Sequence, residues 1–291
     1  MATYTTYNQV GQAEDVSDII TDITPTDSPF TSLMKSEKTH ARTFEWQEDS
    51  LSSAQVNAAV EGADAQIGTL TPTTMRSNTS QILTKAFQVS ATADVIKTYG
   101  RAKETAYQLG RVLKEMKRDQ ERAYVGVSQA AVAGTASAAR KMASVDQMIT
   151  ASTAAGSAAL TETHILTAGQ AAYEAGSTPD VLMIKPADAL IVANFAASSG
   201  RNREFASTKT LVNVIDIYVG PFGTYKCILN RHSLSTVAWL IDPSMFKQVV
   251  LRPYTRTLLA KTGDSDKHQI VYEGSVKHMS FADSHMITGL T

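Results

Sequence analysis

Between Arg101 and Val127, the residues Ala106, Leu109, Leu113, Met116, Gln120, Ala123 and Val127 recur at steps of three and four, while Lys114, Glu115, Lys117, Arg118, Asp119, Glu121 and Arg122 fill the other faces. That spacing predicts one long amphipathic helix. At ~1.5 Å per residue it spans roughly 40 Å, against a mean helix of about 11–12 residues. One end of it therefore serves as a beam rather than as a core element. Opposite charges at helical spacing, Arg111 with Glu115 and Lys117 with Glu121, add about 0.2–0.5 kcal/mol per pair.

Upstream the pattern changes. Residues 46–80 are rich in Ser, Thr, Ala, Gln and Gly, are punctuated by Gly62, Gly68 and Pro72, and have few large apolar side chains. Such a stretch cannot bury much of itself, and loops above ~12–15 residues without their own core are usually functional or ordered by a partner. Its Thr, Val and Ile content would also support a long two-stranded ribbon turning near Glu61-Gly62-Ala63-Asp64. Residues 1–45 are polar, with the turn-prone string Thr24-Pro25-Thr26-Asp27-Ser28-Pro29. Weak periodicity around Val16, Ile19, Ile20 and Ile23 suggests an arm with a short helix.

Downstream the chain reads as α/β. An Ala/Ser/Thr-rich segment from Ser128 to Thr163 leads to a helix near Ile165 to Ala175, a buried strand Val181 to Ile184 and a helix Pro186 to Phe195. Leu211 to Val219 and Tyr225 to Leu229 alternate as strands around a Gly220-Pro-Phe-Gly223 turn. Phe246 to Ala260 and His268 to Phe281, separated by the polar run Lys261 to Lys267, predict a long antiparallel hairpin.

With 27 Lys+Arg against 28 Asp+Glu the net charge is -1, unlike the positive balance of a general nucleic-acid binder. The total hides a split. Residues 1–80 hold 11 acids and four bases, a net of -7, and residues 81–291 hold 23 bases and 17 acids, a net of +6. Such a split fits one part of the chain lying against another part or against a neighbouring copy, and equally two separately solvated surfaces. The segment 101–141 alone has nine bases against four acids. Its face Lys114, Lys117, Arg118 and Arg122 suits phosphate without sequence selectivity, or is a solvated face with internal ion pairs.

Catalytic chemistry finds little support. The single Cys227 forbids an intrachain disulfide and reads as a small buried hydrophobe in a protein that folds in a reducing cytosol. The six histidines show no metal-ligand spacing, and no phosphate-binding glycine loop or nucleophile elbow occurs. No catalytic, cofactor-binding or metal residue is assigned, and no cofactor. The N-terminus lacks the features of a signal peptide, and no apolar run approaches the ~20 residues that cross a bilayer, so no membrane partner is expected.

Five strings carry a resemblance: Phe44-Glu-Trp-Gln-Glu-Asp-Ser-Leu51, Val60-Glu-Gly-Ala-Asp-Ala65, Leu113-Lys-Glu-Met-Lys-Arg-Asp-Gln-Glu121, Phe222-Gly223-Thr224 and Leu258-Leu-Ala-Lys-Thr-Gly-Asp-Ser265. With the order of arm, core-poor loop, long helix, α/β middle and closing hairpin, the chain resembles the tailed-phage major capsid proteins of the Hong Kong 97 type, within the major head protein family of podovirus-like phages. The resemblance implies an α+β fold with an N-terminal arm at 1–45, an extended loop at 46–85, a peripheral domain at 86–135 and 243–282, and an axial domain at 136–242 and 283–291.

It further implies a structural protein, not an enzyme, that assembles into hexamers and pentamers of an icosahedral head enclosing double-stranded DNA. Trp46, Glu48, Asp49, Glu61, Gly62, Asp64 and Arg76 become candidates for the subunit interface. Lys114, Lys117, Arg118 and Arg122 become candidates to face the DNA without sequence specificity. A scaffolding protein, a portal and room for a decoration protein follow, with assembly in the host bacterial cytoplasm. The chain starts directly with the arm, which implies a separate scaffold or a removed prefix. Some members lock the shell through a loop lysine joined to an asparagine on a neighbour; here no lysine lies between Lys38 and Lys85, so that bond is expected to be absent from the loop. The competing reading is a soluble α/β binding protein or enzyme with residues 1–85 as a disordered extension.

Overall fold

In a computed structural model that describes residues 27–62, 64, 68, 70–98, 103–198 and 217–291, the long helix α3 runs over Glu104–Val125. Lys103 supplies no side-chain cap at its start; Asp94, in the short helix α2 (Ala91–Val95), accepts the Thr105 backbone N–H at 3.0 Å instead. Glu104 in the first turn and Arg122 in the last complement the helix dipole. The helix stops at Gly126, where a Cβ would stand 2.1 Å from the His232 carbonyl oxygen. Only glycine lets that strand-connecting segment pass so close.

A four-stranded sheet supports the helix, in the order β1 (Lys35–Lys38), β10 (Phe246–Leu258), β11 (Ser265–His278), β4 (Gln81–Ser90). β10 and β11 form the expected long hairpin, from Phe246↔His278 to Leu258↔His268. Its register shifts around Arg252, next to Pro253, which has no N–H to give to the ladder. β4 pairs with β11 from Ser90↔Ser265 to Gln81↔Gly274 and so lies on both sides of the expected boundary at 85/86. Val112 and Met116 of α3 pack on Ile270 and Tyr272 of β11, flanked by half-buried Leu109 and Leu113. Ala106 stays exposed, because the sheet reaches only part of the predicted stripe.

The second sheet has six strands, in the order β5 (Ala151–Ala158), β12 (His285–Leu290), β9 (Val237–Ile241), β6 (Val181–Ile184), β8 (Gly223–Leu229), β7 (Ile217–Gly220). β6 and β9 are buried at every position, as continuous apolar runs in a sheet interior should be. Leu160, Ile165 and Ala168, from α5 (Glu162–Glu174) and the residues before it, close one side with Val192 of α6 (Pro186–Ser198). Cys227 is half-buried against this cluster rather than fully buried, because β8 lies one strand from the sheet edge. The expected strand from Leu211 falls in residues outside those described until Ile217.

A third apolar cluster joins the two sheets. Phe30 of α1 (Pro29–Leu33) shares it with Tyr124, Trp239 and Phe246, and packs edge to face on Phe246 at 5.5 Å. Burying Phe30 contributes about 2–3 kcal/mol. Residues 29–38 and 81–90 are thus built into core and sheet, which overturns the reading of residues 1–85 as a disordered extension. The expected helix around Val16 to Ile23 lies outside the described residues.

Candidate functional site

The core-poor segment begins and ends in a short antiparallel pair, β2 (Thr43–Glu48) with β3 (Thr74–Thr79), in register Trp46↔Arg76. This is the only part of the expected ribbon that forms strands among the described residues. Glu48 fixes the base: its carboxylate accepts from Arg76 Nε at 2.6 Å, the Phe281 backbone N–H at 2.8 Å and Ser280 Oγ at 3.2 Å. Burial opposes the charge on Glu48, but the hydrogen bonds from Arg76 and Phe281 outweigh it and hold the carboxyl below its ordinary range. The Arg76 guanidinium lies over the Phe281 ring at 4.4 Å, and Trp46 stacks on Phe44 at 5.9 Å.

Below this base, Asn78 is buried. Its amide donates to the Val276 carbonyl at 2.8 Å and the Ala143 carbonyl at 3.2 Å, and its oxygen accepts from the Ala143 N–H at 2.8 Å. Sequence reasoning passed over Asn78, since nothing local marks an asparagine whose partners lie 65 and 198 residues away.

Between the two strands the chain leaves the body. The described residues of 49–73 form no strand or helix, and Asp49, Glu61, Gly62 and Asp64 are exposed. Gly62 has φ +81°, a left-handed turn conformation at the expected turn. Leu51 and Val56 are each 98% exposed, Leu70 93% and Val60 81%. Of the seven interface candidates, Trp46, Glu48 and Arg76 therefore contact their own chain, and the other four project with these apolar side chains.

On α3, Lys114, Lys117 and Arg122 are exposed and Arg118 is half-exposed. Lys85 of β4 bridges Glu115 at 3.2 Å and Asp119 at 2.8 Å, and Arg111 approaches Glu115 at 3.9 Å. The Lys117–Glu121 pair expected from spacing does not form. Glu121 is fully buried, and its carboxylate accepts from the backbone N–H groups of Phe30 and Thr31 at 2.8 Å, from Thr31 Oγ1 at 2.5 Å and from Asn230 Nδ2 at 2.7 Å. Glu115, Asp119 and Glu121 are thus engaged by groups other than Lys114, Lys117, Arg118 and Arg122, and among the described residues those four bases have no ion-pair partner.

Other titratable groups serve the packing. His278 lies parallel to Phe246 at 4.1 Å and to Phe281 at 5.9 Å, and burial pushes its pKa down to about 4. Buried Glu273 holds Arg140, and Arg252 at 2.6 Å. Among the described residues no three His, Cys, Asp or Glu side chains gather as metal ligands, and no helix is long and apolar enough to cross a membrane.

The SU10 major capsid protein family matches the chain over residues 2–291. A major capsid protein of Escherichia phage Phieco32 is 30% identical, covering 94% of this chain and 93% of its own length. Among solved structures, the capsid of a native GTA particle superposes with a TM-score of 0.71 at 9% identity, covering 98% of each chain. A structure of phage G gp27 major capsid proteins with gp26 decoration proteins gives 0.60 at 9% identity, covering 96% of this chain and 98% of its own.

Proposed function

We propose, from the premise that this chain belongs to the SU10 major capsid protein family, that each subunit is held in its shell by laying its 49–73 loop on the next subunit. The chain is a phage major capsid protein of the Hong Kong 97 fold, and its copies form the icosahedral shell of the virion. The observation that carries the loop reading is a rigid base bearing four almost fully exposed Leu and Val side chains. Covering each contributes about 1.5–3 kcal/mol, and among the described residues no surface of the same subunit covers them.

In this reading residues 1–45 are the arm, 46–85 the loop with its anchored base, 86–135 and 243–282 the peripheral domain, and 136–242 with 283–291 the axial domain. Hexamers and pentamers bring Asp49, Glu61, Gly62 and Asp64 of one subunit onto its neighbour. Lys114, Arg118 and Arg122, with Lys117 at their margin, face packaged DNA through phosphate contacts of low specificity. The role is structural and involves no catalysis. Assembly uses a scaffolding protein and a portal in the cytoplasm of the host bacterium, and a decoration protein of the kind seen with phage G gp27 has an outer face to occupy. Without a loop lysine the lattice rests on burial and charge.

Electron microscopy of the expressed protein, with and without its scaffold, tests this function. Closed shells are expected. Compact monomers of radius of gyration near ~19 Å under both conditions would contradict it.

A further inference from the structure

A groove of about 670 Å³ lies between α1, β1, α3 and the β10–β11 hairpin. Val250, Leu251, Pro253, Tyr254 and Tyr272 give it an apolar floor, and Lys38, His40 and Lys117 stand around it. Lys38 and Lys117 have no carboxylate partner among the described residues, unlike Lys247 and Lys277, which share Glu37 at 3.3 and 3.5 Å. An apolar floor with a cationic rim fits a segment that is apolar on one face and acidic on the other.

The chain carries such a segment immediately before the groove. Residues 1–26 contain four acids, Glu14, Asp15, Asp18 and Asp22, and no Lys or Arg. Val16, Ile19, Ile20 and Ile23 stand at i, i+3, i+4 and i+7, the spacing of one helical face. Ser28 itself lines the groove, and the five residues from Ile23 to Ser28 reach at most about 18 Å. So short a tether raises the local concentration of the segment to the millimolar range.

We propose that this groove is the seat of residues 14–23 of the same chain, with the valine and isoleucines on the β10 floor and the acids beside Lys38 and Lys117. Seating it there fixes where the arm leaves the subunit and draws Lys117 away from the outer basic face. The seat lies within one subunit, so it does not depend on what the 49–73 loop contacts.

The test is a cysteine pair, Ile19→Cys with Ser36→Cys on the groove wall, in a Cys227→Ser background, oxidised in the full-length chain before and after assembly. Thr39→Cys is a second partner position if Ser36→Cys disturbs β1. A cross-linked species of monomer mass is expected. Its yield should fall about fivefold with Lys117→Glu, as loss of one charge pair of about 1 kcal/mol requires, and recover when Asp18→Lys is added. A ladder of linked subunits would overturn the same-chain occupant and assign the groove to a neighbour's arm. Absence of the cross-link at both partner positions, or a yield indifferent to Lys117→Glu, would overturn the groove as the seat.

Discussion

Glu121 shows what one side chain decides. It sits at a charged position of an amphipathic helix, and periodicity assigns it to solvent beside Lys117. The structure buries it under α1, where one carboxylate satisfies two backbone N–H groups, a hydroxyl and the Asn230 amide. Those partners lie about 90 to 109 residues away in the chain, so no local pattern announces them. Glu121→Ala leaves several buried donors unpaired and is expected to lower the unfolding free energy by about 3 kcal/mol, with Glu121→Gln costing less. Chemical denaturation of the subunit checks this, and a loss below about 0.5 kcal/mol would mean that α1 is held by Phe30 alone.

At the scale of elements, legibility followed how local the forces are. α3, the β10–β11 hairpin, β6 and α6 were readable because a 3.6 or period-two pattern, or a continuous apolar run, is written in each segment. β5 was not, since Ala151–Ala158 offers only small residues and becomes a strand by pairing with β12. The ribbon failed for the opposite reason. Its Thr, Val and Ile favour extended structure, but two strands without a buried face are unstable alone, and pairing survives only where Trp46, Asn78 and Glu48 reach the body. The outer face of α3 was legible as basic but not as lacking ion-pair partners among the described residues, because that depends on Lys85 occupying Glu115 and Asp119. Lys114→Glu with Arg118→Glu should leave shells assembling while reducing DNA retained at physiological salt by at least about tenfold, through loss of phosphate contacts. Retention measured by absorbance of purified particles tests it, and unchanged retention would show these charges to be only solvated.

For the whole molecule, the near balance of 27 bases and 28 acids conceals a division of labour. Within the acidic first 80 residues, the described ones split into a part bound to its own body, through α1, β1 and the loop base, and a part that projects. Residues 29–38 stitch the two sheets together, so the region expected to be all arm and loop is half scaffold. What projects is apolar at Leu51, Val56, Val60 and Leu70 and acidic at Asp49, Glu61 and Asp64. That composition supports the proposal that another copy covers it. The sequence showed that this stretch could not bury itself; its fixed base became visible only in the structure.

The loop is proposed to join subunits. Val56→Asp with Val60→Asp changes side chains that are 98% and 81% exposed in the subunit, so its thermal unfolding should stay within about 1–2 °C of the unmodified chain. Sedimentation and electron microscopy under assembly conditions should then show soluble subunits or capsomers where the unmodified chain gives closed shells. Closed shells of normal size and yield from the double variant would contradict the account.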